Sequence, residues 1–482
     1  MEVSVMDQIK AAIEKSAPMT LAQIVTEEIR EFRHLQQYRD MLTAERYYDN
    51  RSDVQQKTNE FARRSNVKME HPILRKIIGQ KASFLLAKPF SVSTEDGAYA
   101  DALNAIFDRS FRKKLRLFAA DAVKYGIAWL QPYIGEDGEL AFMRIPAKEI
   151  VPIWEDDEHE RLQAFIRVYP QTIYVGTRKQ EITHAELWTT EGVKYFVSSG
   201  GPAGAHEFVV DKEHGDESND YTEPHFYYRN KAMNWDNVPI IWLKYNDDER
   251  PLCYYLREMI DEINWQNSVT ADELRDIAKF IYVLKNYGGT DLDEFVSDLR
   301  KSMAIKVDDD GGVDKLTSDI NIDAVMKFLD NTRRDLYDLA SAVDTKDPDL
   351  GNASGTAIQF RYLDLQNDCE ALGDELQGSF QRLKLFLDTY FVTIGAGDFT
   401  GSEFEIIYNM DLPVNEADII TNIRNSDGII SRRTQLENHP WVKDVDDELE
   451  RLDKEQQDNM EKYGAGLFDT SAGSAVIDNE EP

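Results

Sequence analysis

The run Ser354 to Phe391, SGTAIQFRYLDLQNDCEALGDELQGSFQRLKLFLDTYF, constrains this chain more than any other stretch. Apolar residues fall at Ile358, Tyr362, Leu365, Cys369, Leu372, Leu376, Phe380, Leu383, Leu387 and Phe391. Steps of three and four are the period of one buried helix face. Ser354 or Thr356 can cap the start, and Thr356 with Gln359 has capping-box spacing. No proline follows until Pro413. Such a helix spans about 55 Å, more than a small domain is wide. Gly373 and Gly378 mark expected bends. A second helical run, Asn321 to Val343, precedes it, with Ile322, Val325, Met326, Leu329, Leu336 and Leu339 on its apolar side. Between the two lies DTKDPDLGNA, Asp344 to Ala353, a polar, turn-forming loop. The plain reading is a helical hairpin with a solvated tip. The sharper one is a loop held by rigid helices and displayed into a cavity.

Around this core the period changes along the chain. Residues 7 to 45 read as one amphipathic helical region, followed by a polar, loop-like stretch from Tyr47 to Asn66. A helix starts at Pro72, a residue suited to a first turn, and ends before Pro89. Residues 99 to 125 read as one helix closed by Gly126. Period-two segments then give a β-rich region. It comprises a hairpin over Ile127–Ile134 and Glu139–Ile145, then strands over Ile150–Trp154, Gln163–Tyr169, Glu181–Trp188 and Gly192–Val197. Residues 198 to 224, rich in Gly, Ser, Asp and Glu, read as a mobile insertion whose loss is tolerated. Val238–Tyr245 is a further strand, and Pro251 to Ala278 a helix. A small αβ unit follows, with strands Phe280–Lys285, Met303–Val307 and Val313–Thr317. Short strands such as the first two leave edges open to a neighbouring subunit, through Phe280, Tyr282, Met303 and Ile305. Phe404–Asn409 is a strand. Residues 415 to 462 read as helix with one break near His439-Pro440.

Charge excludes one class of function. The chain has 482 residues with Lys+Arg 55 and Asp+Glu 89, a formal charge of −34. A sequence-specific nucleic-acid binder shows a basic face, whereas this chain as a whole should repel DNA; that argues against sequence-specific binding but not against a passage that DNA traverses without sticking. The two cysteines, Cys253 and Cys369, fall in helical patterns and read as reduced core thiols. No apolar run approaches 18 residues and the first ten residues lack a signal-peptide core, so a soluble, intracellular protein is expected. Catalytic patterns are missing from the sequence. It has no GxxxxGK[ST] and no HExxH, and Ser354 sits one place late for a nucleophile elbow. Asp308-Asp309-Asp310-Gly311 and Asp347-x-Asp349-x-Gly351 resemble fragments of calcium loops but lack the closing glutamate. No catalytic, cofactor or metal residue is assigned.

Several stretches, in order, resemble the portal proteins of long-tailed double-stranded DNA phages, the siphovirus-type portal family. They are Ile78-Gly-Gln-Lys-Ala-Ser-Phe-Leu-Leu-Ala-Lys-Pro89, with Ala87 where the family has glycine; Tyr125-Gly126-Ile-Ala-Trp129 with Glu136-Asp-Gly138-Glu139-Leu140; and Asn237-Val-Pro-Ile-Ile-Trp-Leu-Lys-Tyr-Asn246 before Ile260-Asp261. After these come Ser354-Gly355-Thr356-Ala357-Ile358 with Phe360, and Gly428-Ile-Ile-Ser431, Thr434 and Glu448 to Leu452. The resemblance covers about residues 70 to 455. It implies an α+β, mainly helical fold with a wing (1–250), a stem helix (251–279), a clip (280–316) and a second stem helix (317–344). A tunnel loop (345–353), a long wing helix (354–395), a wing strand (396–414), a crown (415–463) and a disordered tail (464–482) complete the plan.

It also implies a ring of about twelve subunits at one capsid vertex, assembled in the host cytoplasm and carried in the virion. Double-stranded DNA passes along the axis during packaging and ejection. The partners implied are terminase, the head-to-tail connector, and the major capsid and scaffolding proteins, with no membrane. Lys346, Asp347, Asp349 and Asn352 are then the DNA-facing loop residues, with Gly351 and Gly355 as hinges. Packaging energy comes from a separate ATPase, so the chain is read as no enzyme. The alternatives are another oligomeric phage-head or scaffold-type protein without a channel role, and a hydrolase or nuclease.

Overall fold

The computed structural model describes residues 4–14, 18–58, 65–199, 207–214, 222–276, 281–285, 312–316, 321–347, 355–410, 416–442 and 445–464. It is an α+β fold in two compact units. The first is Met1–Asp344 with Asp364–Asp411, and the second is Thr345–Leu363 with Leu412–Pro482.

In the first unit the N-terminal region read as helical over 7 to 45 is three helices: α1 (Val5–Ile13), α2 (Leu21–His34) and α3 (Gln36–Tyr48). Thr20 and Gln23 form a reciprocal cap that starts α2, and Leu35, with extended backbone, separates α2 from α3. Ile24, Val25, Ile29 and Phe32 of α2 are buried in a core shared with the β region. After α4 (Ile73–Leu86) and β1 (Ser91–Ser93), the expected helix 99–125 is again divided, into α5 (Gly97–Ile106) and α6 (Arg109–Tyr125). Asp108 makes the break by capping α6, its carboxylate accepting from the Phe111 amide at 2.7 Å.

Gly126 ends α6 with φ +89°, and a Cβ there would lie 2.0 Å from the Glu249 carbonyl oxygen, so only glycine fits. The chain then enters β2 (Ile127–Ile134) and β3 (Leu140–Ile145), the hairpin read from the sequence. A second antiparallel sheet follows as consecutive neighbours: β4 (Ile150–Trp154), β5 (Leu162–Val175), β6 (Arg178–Thr189), β7 (Gly192–Ser199) and β8 (Val209–Val210). Strand β8 corrects the reading of 198–224 as a dispensable insertion. Phe208 beside it is 4% exposed in the sheet core, its amide donating to Thr26 Oγ1 at 3.1 Å. Glu223 exchanges backbone hydrogen bonds with Val193. A deletion spanning 200–222 therefore removes part of the sheet. The short hairpin β9 (Phe226–Tyr228) and β10 (Lys231–Met233) leads to β11 (Ile241–Lys244), which pairs with β2.

Helix α7 (Leu252–Asp276) carries a polar ladder that the sequence reading did not single out. The amides of Ser65, Val67, Met69 and His71 donate to side chains of Asp276, Asp272, Ser268 and Asn264, at 3.1, 2.6, 2.8 and 3.1 Å. The registers match because four helical residues rise about 6 Å and two extended residues about 6.6 Å. Lys57 pairs with Asp272 beneath this strap. Ser268 is fully buried. Ser268→Ala is expected to cost about 1–2 kcal/mol, since the Met69 amide loses its acceptor, and to raise amide exchange at Met69. Wild-type exchange at that amide would remove the ladder from the stability of α7.

Strands β12 (Ile281–Lys285) and β13 (Gly312–Leu316) pair antiparallel, and α8 (Ile322–Leu339) follows, capped by Asn321. Helix α9 (Gly355–Ile394) is the long helix of the sequence reading. It begins at Gly355, so Thr356 lies inside the helix and is not its cap. From Leu365 to Phe391 every apolar residue named above is buried. Phe380 meets Phe90, Phe107, Phe111 and Phe404 in ring contacts. Gly373 has its own reason to lack a side chain: a Cβ would sit 3.3 Å from the Tyr408 ring and 3.4 Å from Leu85. Strand β14 (Glu405–Ile407) pairs with β1 across more than 300 residues of sequence.

The second unit holds α10 (Glu416–Asn425), α11 (Arg432–Glu437) and α12 (Val445–Gly464). The expected single break is two breaks. The additional one is at Asp427-Gly428, where Gly428 has φ +80°, and Ser431 then caps α11. The tail beyond 464 lies outside the described residues.

Candidate functional site

The candidate site is the segment that follows α8. Leu336 and Tyr337 bury the last turn of that helix, and Ala340 ends it. Ser341 adopts φ +46°, and the Ala342 amide turns back to the Tyr337 carbonyl at 3.0 Å. Gln80 of α4 then grips Val343 from both sides of its amide. It accepts from Val343 N at 3.1 Å through Oε1 and donates to Val343 O at 3.1 Å through Nε2. Lys81, fully buried, donates to the Ser341 carbonyl at 3.2 Å and to Asp368 of α9 at 2.7 Å. Asp368 also accepts from Tyr245 Oη at 3.1 Å. Burial, with the Asp368 charge adding to it, holds the Tyr245 phenol far above its ordinary value, so it stays a donor. Asp344 is held by the Arg333 guanidinium in a two-pronged pair, with Lys76 at 3.9 Å. The segment thus leaves a fixed base: Ser341, Val343 and Asp344 are each clamped by a side chain of a helix.

The expected site residues divide as follows. Lys346 is exposed in the second unit, and Asp347 pairs there with Arg361. Gly355 is the first residue of α9. Asp349, Gly351 and Asn352 lie outside the described residues. Of the expected inter-subunit edges, Tyr282 is on β12 opposite Lys315 of β13, while Phe280, Met303 and Ile305 lie outside the described residues. The sequence reading did not single out Gln80, Lys81, Arg333 or Asp368. A signal was present for two of them, because Gln80-Lys81 interrupt the largely apolar run Ile77 to Leu86, and Lys81 falls among its buried positions.

Both cysteines are buried and unpaired, as read from the sequence, and burial pushes each thiol up to about 12. Among the described residues no group of His, Cys, Asp and Glu is placed to hold a metal ion, and no helix is long and apolar enough to cross a membrane.

Residues 31–462 match the family model described as "Phage portal protein, SPP1 Gp6-like". The chain belongs to this family of phage portal proteins. Two similar proteins, both named "Portal protein", extend the likeness over nearly the whole length. That of Bacillus phage SPP1 is 26% identical over 456 residues, covering 92% of this chain and 88% of the other. That of Clostridium phage phiCD119 is 27% identical over 447 residues, covering 87% and 92%. The portal assignment therefore spans both the strap-bound helix α7 and the clamped segment after α8. The match begins at residue 31, so α1 and most of α2 precede it.

Proposed function

We propose that this portal protein works as a ring of about twelve copies at one capsid vertex, with DNA entering and leaving along the axis. The observation that carries this reading is the family match over residues 31–462. In this reading residues 1–250, with 354–414, form the wing, α7 and α8 the stem, 280–316 the clip, 345–353 the channel loop and 415–463 the crown. Supporting it, the two stem helices carry large exposed apolar residues, Trp265 and Leu274 on α7 and Met326 and Phe328 on α8. In a ring, a neighbouring copy would cover them. The clip docks terminase and then the head-to-tail connector, while capsid and scaffolding proteins hold the outer face. The chain itself is structural, with packaging energy supplied by a separate ATPase.

DNA is held weakly and without sequence preference in this account. Twelve copies at −34 each sum to about −400, so contacts come from local positive charge against a repulsive background. Lys346 is the loop cation the reading assigns to DNA, with Asp349 limiting its grip. Lys346→Ala changes an exposed residue and is expected to cost less than about 0.5 kcal/mol; neither it nor Asp349→Ala is expected to alter folding or ring yield. At least one of them should lower the amount of DNA packaged or retained per head. Normal packaging in both, with normal ring yield, would leave the loop as a connector.

A further inference from the structure

Strand β5 continues past the sheet it belongs to. Its pairing with β4 stops at Arg167, and β7 reaches β6 only from Ile182 onward. Beyond those points β5 and β6 run on, among the described residues, as a two-stranded ribbon, pairing Thr172 with Glu181, Ile173 with Gln180, Tyr174 with Lys179 and Val175 with Arg178. The turn is Gly176-Thr177, with Gly176 at φ +64°. A two-stranded ribbon gains stability from a covering partner. This one carries Tyr174, 74% exposed, beside Arg178 and Lys179, which are exposed and make no ion pair among the described residues.

The same unit contains a cleft of opposite character, of about 560 Å³, with Asp157, Glu158, Glu160, Asp247, Asp248 and Glu375 on its walls. That volume lies within the range of about 300–1,000 Å³ that ligand pockets have. Three cations also line it, fewer than its carboxylates, and Lys244 lies 3.9 Å from Glu249 while Arg382 faces Glu375 and Glu160. Lys244 donates to the Glu158 carbonyl, Arg250 pairs with Asp40, and Arg382 lies over the Trp242 ring at 4.0 Å. Glu249 at its floor is satisfied by Gln37 and His159. The other carboxylates named, apart from half-buried Glu375, face solvent.

We propose that the ribbon of one copy seats in the acidic cleft of its neighbour, Arg178 and Lys179 meeting the carboxylates there. The occupant is a second copy because a chain cannot fill its own cleft. Residues 157–160 immediately precede β5, and the ribbon tip ends it, so the two are separated by the strand's length, roughly 40 Å. A tip-to-cleft contact between different patches is head-to-tail, the kind that closes into a ring. Opposite charges set the register of such a contact more than its gross affinity. The proposal rests on the ring reading above.

Charge exchange tests it on the full chain. Arg178→Glu with Lys179→Glu, and separately Asp247→Lys with Asp248→Lys, should each raise the concentration at which rings dissociate by roughly tenfold. The four changes together should restore it to near wild type. All four positions are exposed, so each variant should unfold as the wild type does. As a second readout, Lys179→Cys with Asp248→Cys should give disulfide-linked dimers and higher ladders under oxidation, since the native thiols are buried. Rings of wild-type stability in both charge variants, or losses that add instead of cancelling, would overturn the docking and leave the ring reading intact. A wild-type chain that stays monomeric would overturn both.

Discussion

Replacing Lys81 by methionine is expected to lower the unfolding free energy by about 4 kcal/mol, the scale for breaking a buried ion pair on one side. Methionine fills nearly the same volume, so the loss is electrostatic and not a cavity effect. Lys81 is fully buried and its ammonium is shared between Asp368 at 2.7 Å and the Ser341 carbonyl at 3.2 Å. Without it, Asp368 keeps only the Tyr245 hydroxyl as a donor among the described residues, and Ser341 loses its tie to α4. Asp368→Asn should cost less, and the double variant should recover part of the loss in a thermodynamic cycle. Amide exchange should speed up at Ser341 and Val343 before the rest of the first unit opens. A change below about 1 kcal/mol on denaturant unfolding would show that the clamp contributes little.

Acid is expected to weaken the chain through His225. Burial lowers this imidazole from its ordinary 6.5 to about 4. Its Nε2–H donates to the Thr189 carbonyl at 2.7 Å and its Nδ1 accepts from the Trp235 amide at 3.0 Å, so the neutral ring is fixed on both sides. Trp188 stacks on its face. The folded value is below the unfolded one, so between pH 6.5 and 4 the unfolded chain binds more protons. Its contribution is complete above pH 6.5 and is lost as pH falls toward 4, by about 3 kcal/mol. Glu28, Asp121, Glu149 and Asp261 are raised by burial and contribute slopes of opposite sign. The comparison of wild type with His225→Gln isolates the histidine. The variant should be less stable at pH 7.5, and the gap should close by pH 4. A constant gap across that range would contradict the assignment.

The long helix was legible in the sequence because Leu365 to Phe391 keep one period over many turns against one core, so the pattern and the packing report the same face. The helix α7 was legible for the same reason, but its polar ladder was not. Asn264, Ser268, Asp272 and Asp276 follow a spacing of four, yet their partners are backbone amides nearly 200 residues away. The helix breaks at Leu35, Asp108 and Gly428 were missed because helical period continues on both sides of each and the cap chemistry is local. The sequence reading ended a strand at Tyr169, whereas β5 runs on to Val175; Pro170 sits where β5 has a partner only on one side among the described residues, the position that tolerates proline. Of the candidate site, the loop after α8 was legible from composition. Its anchoring by Gln80 and Lys81 was not, since hydrogen bonds to backbone atoms leave no mark in the loop's own residues.

The assembly of the purified chain tests the portal account most directly. Electron micrographs of particles fractionated by sedimentation should show closed rings with a central hole, of about twelvefold rotational symmetry, and no substantial monomer pool at micromolar concentration. A monodisperse monomer, or compact oligomers with no axial opening, would contradict the reading of this chain as a conduit for DNA.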